Sequence, residues 1–384
     1  MTSSAPKKTL VGTLRSLLAK LVPVLLRWLG FRLLSRSETY SFLAKYVVSE
    51  QAGNQLKLRN VHDALELDKL IFAETVAISE TSFVWDYHCP TSKAVVLPLG
   101  SVRTQGRVLC TDFDDLRGVV KAALFPARRK TVRARVLIAP WSHQLDGVRY
   151  GGYYDFMMLV GAKLCRIRET IPAQVLANAV VAYPLFNTPY ERELLTMLGF
   201  RPDQIIDSRH TEVIADRCIL ANNGDWSYPN SASIQALKNR VEKAVPVRGQ
   251  QSERIYIRRA GRRRVSNEAE LMTLLNDYQF TVINDEPRTV AEQVAIYSNA
   301  SFILGPHGAS FTNLIWCKPG TALFELFSPK YVVDYFLYLS TWAGLRYTAT
   351  YSGALDDDRD LEADVHVSIP ALRAAFDQLF EPAY

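Results

Sequence analysis

From residue 253 onward, short apolar runs alternate with segments of helical pattern, and this alternation strongly restricts the possible folds. The apolar runs lie at 254–258, 280–283, 301–304, 322–326 and 347–351. The helical patterns between them lie at 267–276, 289–298 and 332–342. Strands that alternate with helices build a parallel sheet with helices packed on its faces. The sequence therefore predicts a doubly wound α/β domain over residues 253–365.

The remainder of the chain predicts a second unit of the same class. A chain of 384 residues exceeds one ordinary core, which favours two domains. We expect a helical, basic extension over 1–75 and a Rossmann-like domain over 76–245. The stretch 246–252 is short and polar, contains proline and glycine, and is the predicted linker. A final helix within 366–384 is expected to pack back toward the domain junction.

Positive charge is concentrated at the N-terminus. Residues 1–37 contain no acid and seven basic residues, namely Lys7, Lys8, Arg15, Lys20, Arg27, Arg32 and Arg36. The formal charge of the whole chain is +6, so removing the +7 of this segment leaves −1 for the rest. A nucleic-acid-binding body would carry its basic surplus within the fold, so we expect no nucleic-acid partner.

The same segment is rich in apolar residues, but basic residues interrupt it. Its longest unbroken apolar run is about six residues, whereas a membrane span needs roughly 20. The pattern is typical of a helix that lies on an anionic membrane surface. A helix packed on the protein body and a disordered tail are the alternatives.

The five cysteines stand at positions 89, 110, 165, 218 and 317. Their number is odd and no pair has C-x2-C spacing, which disfavours a zinc site or a disulfide framework. We expect reduced thiols and a cytoplasmic protein.

The loop after the apolar run 301–304 carries the strongest local signal. Its sequence is Gly305-Pro306-His307-Gly308-Ala309-Ser310, and Thr312 and Asn313 follow. Ligands of open α/β sheets bind at the carboxyl ends of strands. The two glycines allow a close approach of the backbone, and the start of a helix attracts phosphate. The loop is therefore a candidate anion site, with a purely structural turn as the alternative.

A second signal follows the run 254–258, where five arginines occur within residues 258–264. Arginine presents a planar fork that matches phosphate oxygens in pairs. A solvated basic loop and an RNA-binding patch are the alternatives, although the lack of interleaved aromatic residues disfavours RNA. A third signal is Glu325, which lies near the end of the run 322–326 and suits the hydroxyl groups of a ribose.

Together these three elements resemble the C-terminal half of glycosyltransferase family 61, which includes bacterial capsular-polysaccharide enzymes. The resemblance covers residues 254–353. The family pattern G-x-H-G-A-x-L-T-N is matched by 305–313, with Phe311 in place of leucine, and Pro319-Gly320 and Glu325 follow.

The resemblance implies a GT-B fold, in which two Rossmann-like domains face each other across a cleft. It also implies a nucleoside diphosphate sugar as co-substrate, no further cofactor, and inversion at the anomeric carbon. Arg258, Arg259 and His307 would hold the diphosphate, and Glu325 the ribose. The donor-binding set is completed by Gly305, Gly308, Ala309, Ser310, Thr312 and Asn313.

The catalytic base is less well defined, because a family motif of the form N-x-Y-H is matched only by Gly151-Gly152-Tyr153-Tyr154-Asp155-Phe156. The expected histidine is absent. Asp155 is the first candidate, because an inverting transfer needs a group that takes the acceptor's proton. His143 and Asp146 are the alternatives, and an ordinary helix cap is the structural interpretation of Asp155.

These features predict an inverting, metal-independent glycosyltransferase that acts on a glycan or lipid-linked acceptor in surface polysaccharide biosynthesis. Asp112-Phe113-Asp114 matches the D-x-D metal motif by letters only, so no metal site is expected. The expected location is cytoplasmic, at the inner face of the plasma membrane. A nucleotide-sugar epimerase or hydrolase of the same architecture is one alternative. A non-catalytic module that binds nucleotide sugars or polyanions is the other.

Overall fold

The computed structural model describes residues 22, 24–89, 91–112, 116–124, 128–141, 152–245, 253–351 and 363–380. The predicted linker 246–252 lies outside the described residues, and so do His143 and Asp146.

Strand and helix segments alternate over most of the described chain, which confirms the predicted α/β class. The strands before the linker are β1 Arg32–Leu33, β2 Val47–Gln51, β3 Gln55–Leu58, β4 Val61–His62, β5 Leu70–Phe72, β6 Thr75–Ile78, β7 Ser82–His88, β8 Ala94–Val96, β9 Val102–Thr104, β10 Arg107–Leu109, β11 Lys130–Ile138, β12 Ala179–Tyr183, β13 Ile205–Asp207 and β14 Thr211–Ala221. The α-helices of this part are α1 Arg36–Leu43, α2 Leu116–Leu124, α3 Ala162–Thr170, α4 Ala173–Leu176, α5 Pro189–Met197 and α6 Ser231–Ala244.

Ten of these strands form the N-terminal sheet, in the order β1-β10-β9-β8-β14-β11-β12-β13, with β7 paired to both β14 and β2. The strands β14, β11, β12 and β13 are parallel neighbours. The chain moves from β11 to β12 and β13 on one side and then returns to β14 on the other. Strand order therefore reverses between β11 and β14.

The C-terminal sheet consists of five parallel strands in the order β16-β15-β17-β18-β19. These are β15 Glu253–Ile257, β16 Thr281–Ile283, β17 Ala300–Pro306, β18 Ala322–Phe327 and β19 Arg346–Tyr351. The helices are α7 Glu268–Asp277, α8 Val290–Asn299, α9 Tyr335–Ala343 and α10 Ile369–Phe380, with a 3-10 helix at Ala309–Trp316. Here strand order reverses between β15 and β17.

The two sheets are joined by apolar packing and by specific polar contacts. One hydrophobic cluster contains Ile138 and Leu194 from the N-terminal part together with Ile303 from β17. The Glu193 carboxylate in α5 accepts hydrogen bonds from two backbone N–H groups at the start of α8. A carboxylate at a helix N-terminus is a favourable charge arrangement.

Two expectations about the ends of the chain are wrong. The described residues between 24 and 75 are not mainly helical, because β2 pairs with β7 and β3 pairs with β6. The final helix α10 does not pack at the domain junction. Its Phe376 ring instead stacks on Phe280 at 5.3 Å and contacts Phe302, within the core of the C-terminal sheet.

None of the helices in the described part of the chain combines the length and the apolar character needed to cross a membrane. None of the five cysteines, all of which are described, forms a disulfide bond, and four of them are buried.

Candidate functional site

The candidate site lies at the carboxyl edge of the C-terminal sheet, where strand order reverses. Arg258 and Arg259 follow β15, and the loop from His307 to Ser310 follows β17. At such a reversal the two flanking loops diverge and leave a crevice, which is where open α/β sheets bind ligands. The topology therefore brings together the two sequence signals that were identified separately.

Arg259 fixes the distance between these two loops. Its guanidinium donates a hydrogen bond to the backbone carbonyl of His307. A Cβ added at Gly308 would lie 2.0 Å from Nη1 of Arg259. A side chain at this position would force the Arg259 guanidinium to move, whereas the backbone angles impose no restriction, since Gly308 is extended.

A cavity of about 440 Å³ opens between these loops and the N-terminal part of the chain. On one side it is lined by Tyr153 and by the start of α5, at Thr188, Pro189 and Tyr190. On the other side it is lined by three arginines, by the acidic residues Asp285 and Glu286, by Ala309 and Ser310, and by apolar residues. The arginines are Arg258, Arg259 and Arg288, and the apolar residues include Ile257, Ile283, Pro287 and Ile296. A wall on which arginines outnumber carboxylates beside apolar residues suits a ligand that combines an anion with a flat apolar ring.

Each of the two arginines after β15 is held in place. Glu268 Oε2 accepts hydrogen bonds from Nε and Nη2 of Arg258, at 3.0 and 2.7 Å. Burial lowers the pKa of Arg259 to about 10, and the nearby Arg263 acts in the same direction. Arg259 therefore remains charged at neutral pH, and a bound anion would stabilise that charge.

The structure does not bring the His307 ring or the Glu325 carboxylate to the cavity wall. Both residues are buried, and Nδ1 of His307 lies 2.6 Å from Oε1 of Glu325. Tyr347 donates to the other carboxylate oxygen at 2.6 Å. Burial lowers the pKa of His307, which favours a neutral ring whose Nδ1–H is committed to Glu325. This arrangement differs from the expected contacts with diphosphate and ribose. The hydrogen-bonded pair of His307 and Glu325 instead stabilises the loop from its buried side.

Asn313 and Thr312 also differ from the expected ligand contacts. Asn313 is buried, and both polar atoms of its side chain are hydrogen-bonded. Its Oδ1 accepts hydrogen bonds from Tyr153 Oη and Trp316 Nε1. Its Nδ2 donates to Gln293 Oε1 and to the Ser310 carbonyl. The Thr312 hydroxyl donates to the Ala309 carbonyl at 2.6 Å. Both polar side chains are therefore used to shape the loop, and Ala309 and Ser310 remain at the cavity wall.

Asp155 lies at the start of a π-helix, Asp155–Gly161, within the longer helix expected over 154–169. Its side chain is only 7% exposed. Trp226 Nε1 donates to Oδ1 at 3.0 Å, and the Gly152 N–H donates to Oδ2 at 3.3 Å. Asp155 thus lies two residues from the cavity-lining Tyr153, but it does not itself line that cavity. Helices of the π type frequently occur at functional sites.

Sequence analysis missed the cavity residues Tyr153, Tyr190 and Arg288. Tyr153 belongs to the 151–156 segment that resembles the family motif, two residues before the candidate base Asp155. That position could have identified it as a site residue. Asp112, the first residue of the D-x-D letters, is buried and ion-paired with Lys163. Among the described residues, no cluster of His, Cys, Asp or Glu is suited to hold a metal ion.

The residues of this site fall within a segment that matches a known family. The sequence model of the Glycosyltransferase 61 family matches residues 125–324, just over half of the chain. This chain belongs to glycosyltransferase family 61. The matched range includes Tyr153, Asp155, the arginines after β15 and the 305–313 loop.

Two plant proteins are similar to this chain over short stretches. A beta-1,2-xylosyltransferase of Arabidopsis thaliana is 33% identical over 63 residues, which cover 16% of this chain and 12% of the relative. The beta-1,2-xylosyltransferase RCN11 of Oryza sativa subsp. japonica is 31% identical over 94 residues, which cover 22% and 18%. The matched part is therefore a small fraction of either relative.

The close approach of Arg259 to Gly308 predicts a strong effect of one methyl group. Gly308→Ala should lower the free energy of unfolding by about 1–3 kcal/mol, because the methyl group displaces the Arg259 guanidinium from its hydrogen bond to the His307 carbonyl. Gly261→Ala is the control; it lies in the arginine-rich loop that contains Arg259, with open space around it, and should change stability by less than about 0.5 kcal/mol. Equal midpoints for the two variants in urea unfolding would contradict the proposed packing.

Proposed function

We propose that this family 61 protein is an inverting glycosyltransferase of GT-B architecture that uses a nucleoside diphosphate sugar as donor. The acceptor is a glycan or a lipid-linked sugar, and the process served is surface polysaccharide biosynthesis. The observation that carries the proposal is the cavity between the two parts of the chain, with Arg258 and Arg259 on one wall and Tyr190 on the other. The transferred sugar is a hexose or a pentose, and the names of the two xylosyltransferase relatives support a pentose.

In this proposal the donor lies across the reversal point of the C-terminal sheet. The diphosphate contacts Arg258 and Arg259, since paired N–H donors match its oxygens. The base packs against the apolar wall formed by Ile283, Pro287 and Ile296. Ser310 contributes its hydroxyl at the start of the 3-10 helix, while His307 and Glu325 keep the loop in shape.

The reaction is a single displacement. The acceptor oxygen attacks the anomeric carbon, the bond from that carbon to the diphosphate oxygen breaks, and the diphosphate leaves. Asp155 takes the acceptor proton. The arginines stabilise the charge that develops on the leaving group, so the proposed mechanism needs no metal ion.

A non-catalytic nucleotide-sugar-binding module is the second candidate. It is favoured by the absence of the family histidine and by the hydrogen bonds that engage both oxygens of Asp155. An epimerase or hydrolase would convert the donor without any acceptor. Incubation of the protein with donor alone, and then with donor and acceptor, separates the three activities.

Removal of the Arg258 side chain should weaken nucleotide binding. Arg258→Ala deletes a charge-assisted contact to the diphosphate, which costs about 1.5–3 kcal/mol. Arg264→Ala removes an exposed arginine that pairs with Asp364 outside the cavity, and it should leave the affinity unchanged. Calorimetry with uridine and guanosine diphosphates measures both variants. The donor assignment is wrong if Arg258→Ala binds as tightly as the parent protein.

Asp155→Asn should abolish most of the turnover while retaining the shape of the side chain. A general base contributes about 10²- to 10⁴-fold to the rate, so turnover should fall by that factor at unchanged donor affinity. His143→Ala and Asp146→Asn are measured beside it under the same conditions. If Asp155→Asn turns over at the parent rate and one of the other two variants loses turnover, that other residue is the catalytic base.

We further propose that the protein binds the inner face of the plasma membrane through its basic N-terminal segment. In the helical stretch 24–28, Leu26 is buried against Leu97, Val108 and Val119. The opposite side exposes apolar residues, and Trp28 is 85% exposed. The exposed set is Val24, Leu25, Trp28 and Leu29. Such a surface, beside a segment rich in basic residues, suits an anionic bilayer.

Trp28→Ser should therefore reduce sedimentation with anionic liposomes, and so should deletion of residues 1–37. High salt should have the same effect on the intact protein, because exposed charges are screened. Leu379→Ser, which changes an exposed leucine of α10, is the control and should sediment like the parent protein. Unchanged sedimentation of Trp28→Ser and of the deletion variant would contradict membrane binding.

A further inference from the structure

A second cavity lies at the reversal point of the N-terminal sheet and is separate from the donor cavity. Its volume is about 850 Å³. It lies beside the turn that follows β14, and its walls include Asp112 and residues of the turn itself. The polar and aromatic residues of its lining include Arg36, Glu80, Asp112, Asp225, Trp226 and Ser227. Each sheet thus has a cavity near the point where its own strand order reverses, the usual ligand position in such sheets.

The turn that carries Trp226 is held by a buried ionic network. Asp112 Oδ1 accepts hydrogen bonds from the backbone N–H groups of Asn223 and Gly224, at 2.7 and 3.2 Å. Its other oxygen accepts from Lys163, which also donates to the Pro140 carbonyl at the end of β11. The network therefore connects the carboxyl ends of β11 and β14. Buried ion pairs with full hydrogen bonding fix geometry, so the cavity wall is preorganised.

The polar groups on this wall are suited to sugar hydroxyls. Asp225 Oδ1 accepts from the backbone of Ser227 and Tyr228, whereas Oδ2 has no hydrogen-bond partner within the described residues. Arg36 and Glu80 form a half-exposed ion pair at 2.8 Å. Planar carboxylate and guanidinium groups hold adjacent hydroxyls in pairs.

Trp226 supplies an aromatic surface for the apolar C–H face of a sugar ring. Its ring packs edge-on against Tyr335 at 4.9 Å and Tyr154 at 5.5 Å, which fixes its orientation. Its indole Nε1 meanwhile donates to Asp155. A ligand that lies against Trp226 is thereby placed next to the candidate base.

We infer that this second cavity binds the terminal sugar of the acceptor. The inference rests on the proposed transferase function and adds the position of the acceptor to it. The segment from Tyr153 to Asp155 lies between the two sites, because Tyr153 lines the donor cavity and Asp155 contacts Trp226 of the acceptor cavity. An acceptor hydroxyl would then approach the donor from the side on which Asp155 lies.

Binding of simple glycosides tests the inference without knowledge of the natural acceptor. The probes are the methyl glycosides of xylose, glucose, galactose and mannose, with binding measured by saturation-transfer NMR and titration. Arg36→Ala should weaken binding of the preferred glycoside about tenfold or more, through loss of a charged hydrogen-bond donor. Trp226→Ala should do the same through loss of the stacking surface. Arg32→Ala, on the same segment but outside the cavity, is the matched control and should bind like the parent protein.

The affinity for uridine and guanosine diphosphates is measured on the same variants, and it tests the donor site independently of the acceptor site. Weaker glycoside binding in Arg36→Ala and Trp226→Ala, with parent-like binding in Arg32→Ala, supports the acceptor site. Equal glycoside affinity in all variants overturns it, and so does a parent protein that binds nucleotide but none of the glycosides. Absence of nucleotide binding in the parent protein would contradict the proposed transferase function instead. Because Trp226 also packs on two tyrosines, the surface variant Arg36→Ala decides the outcome if Trp226→Ala fails to fold.

Discussion

The reversal of strand order within each parallel array is the constraint on which the arrangement of the sites depends. At the reversal between β15 and β17 the flanking loops separate, and Arg259 bridges them by donating to the His307 carbonyl. At the reversal between β11 and β14 the buried pair of Asp112 and Lys163 has the corresponding role. In both places a cation ties together segments that the topology would otherwise leave apart. The preorganisation of each cavity follows from these two contacts.

The junction between the two sheets depends on a small number of saturated polar groups. Asn313 uses its whole carboxamide to connect Tyr153, Trp316, Gln293 and the Ser310 carbonyl. Because Tyr153 belongs to the N-terminal part, this hub fixes the donor loop relative to the segment that contains Asp155. Motion of one sheet against the other would break these bonds. Proper alignment of donor, acceptor and base in the proposed reaction therefore rests on Asn313, although it does not line the donor cavity.

The sequence predicted the C-terminal strands and helices well, because each apolar run is short and is bounded by clear turn or cap residues. The sequence did not predict β2 and β3. These strands form because they pair with β7 and β6, and that pairing leaves no signal in the local sequence pattern. The arginines were correctly associated with the 305–313 loop, since parallel strands present their carboxyl ends at one edge. The inward roles of His307 and Glu325 were not predictable, because they depend on a contact between residues 18 positions apart. The spacing of letters in a motif does not show which side of a loop a side chain occupies.

The central claim is that the cavity bounded by Arg258, Arg259 and Tyr190 holds the donor nucleotide. A crystal structure of the intact protein soaked with uridine or guanosine diphosphate tests this claim most directly. The account predicts electron density for the diphosphate within hydrogen-bond distance of Arg258 and Arg259, with the base against Ile283 and Pro287. Density for the nucleotide in the cavity beside Trp226, with the cavity beside Tyr190 empty, would contradict the account.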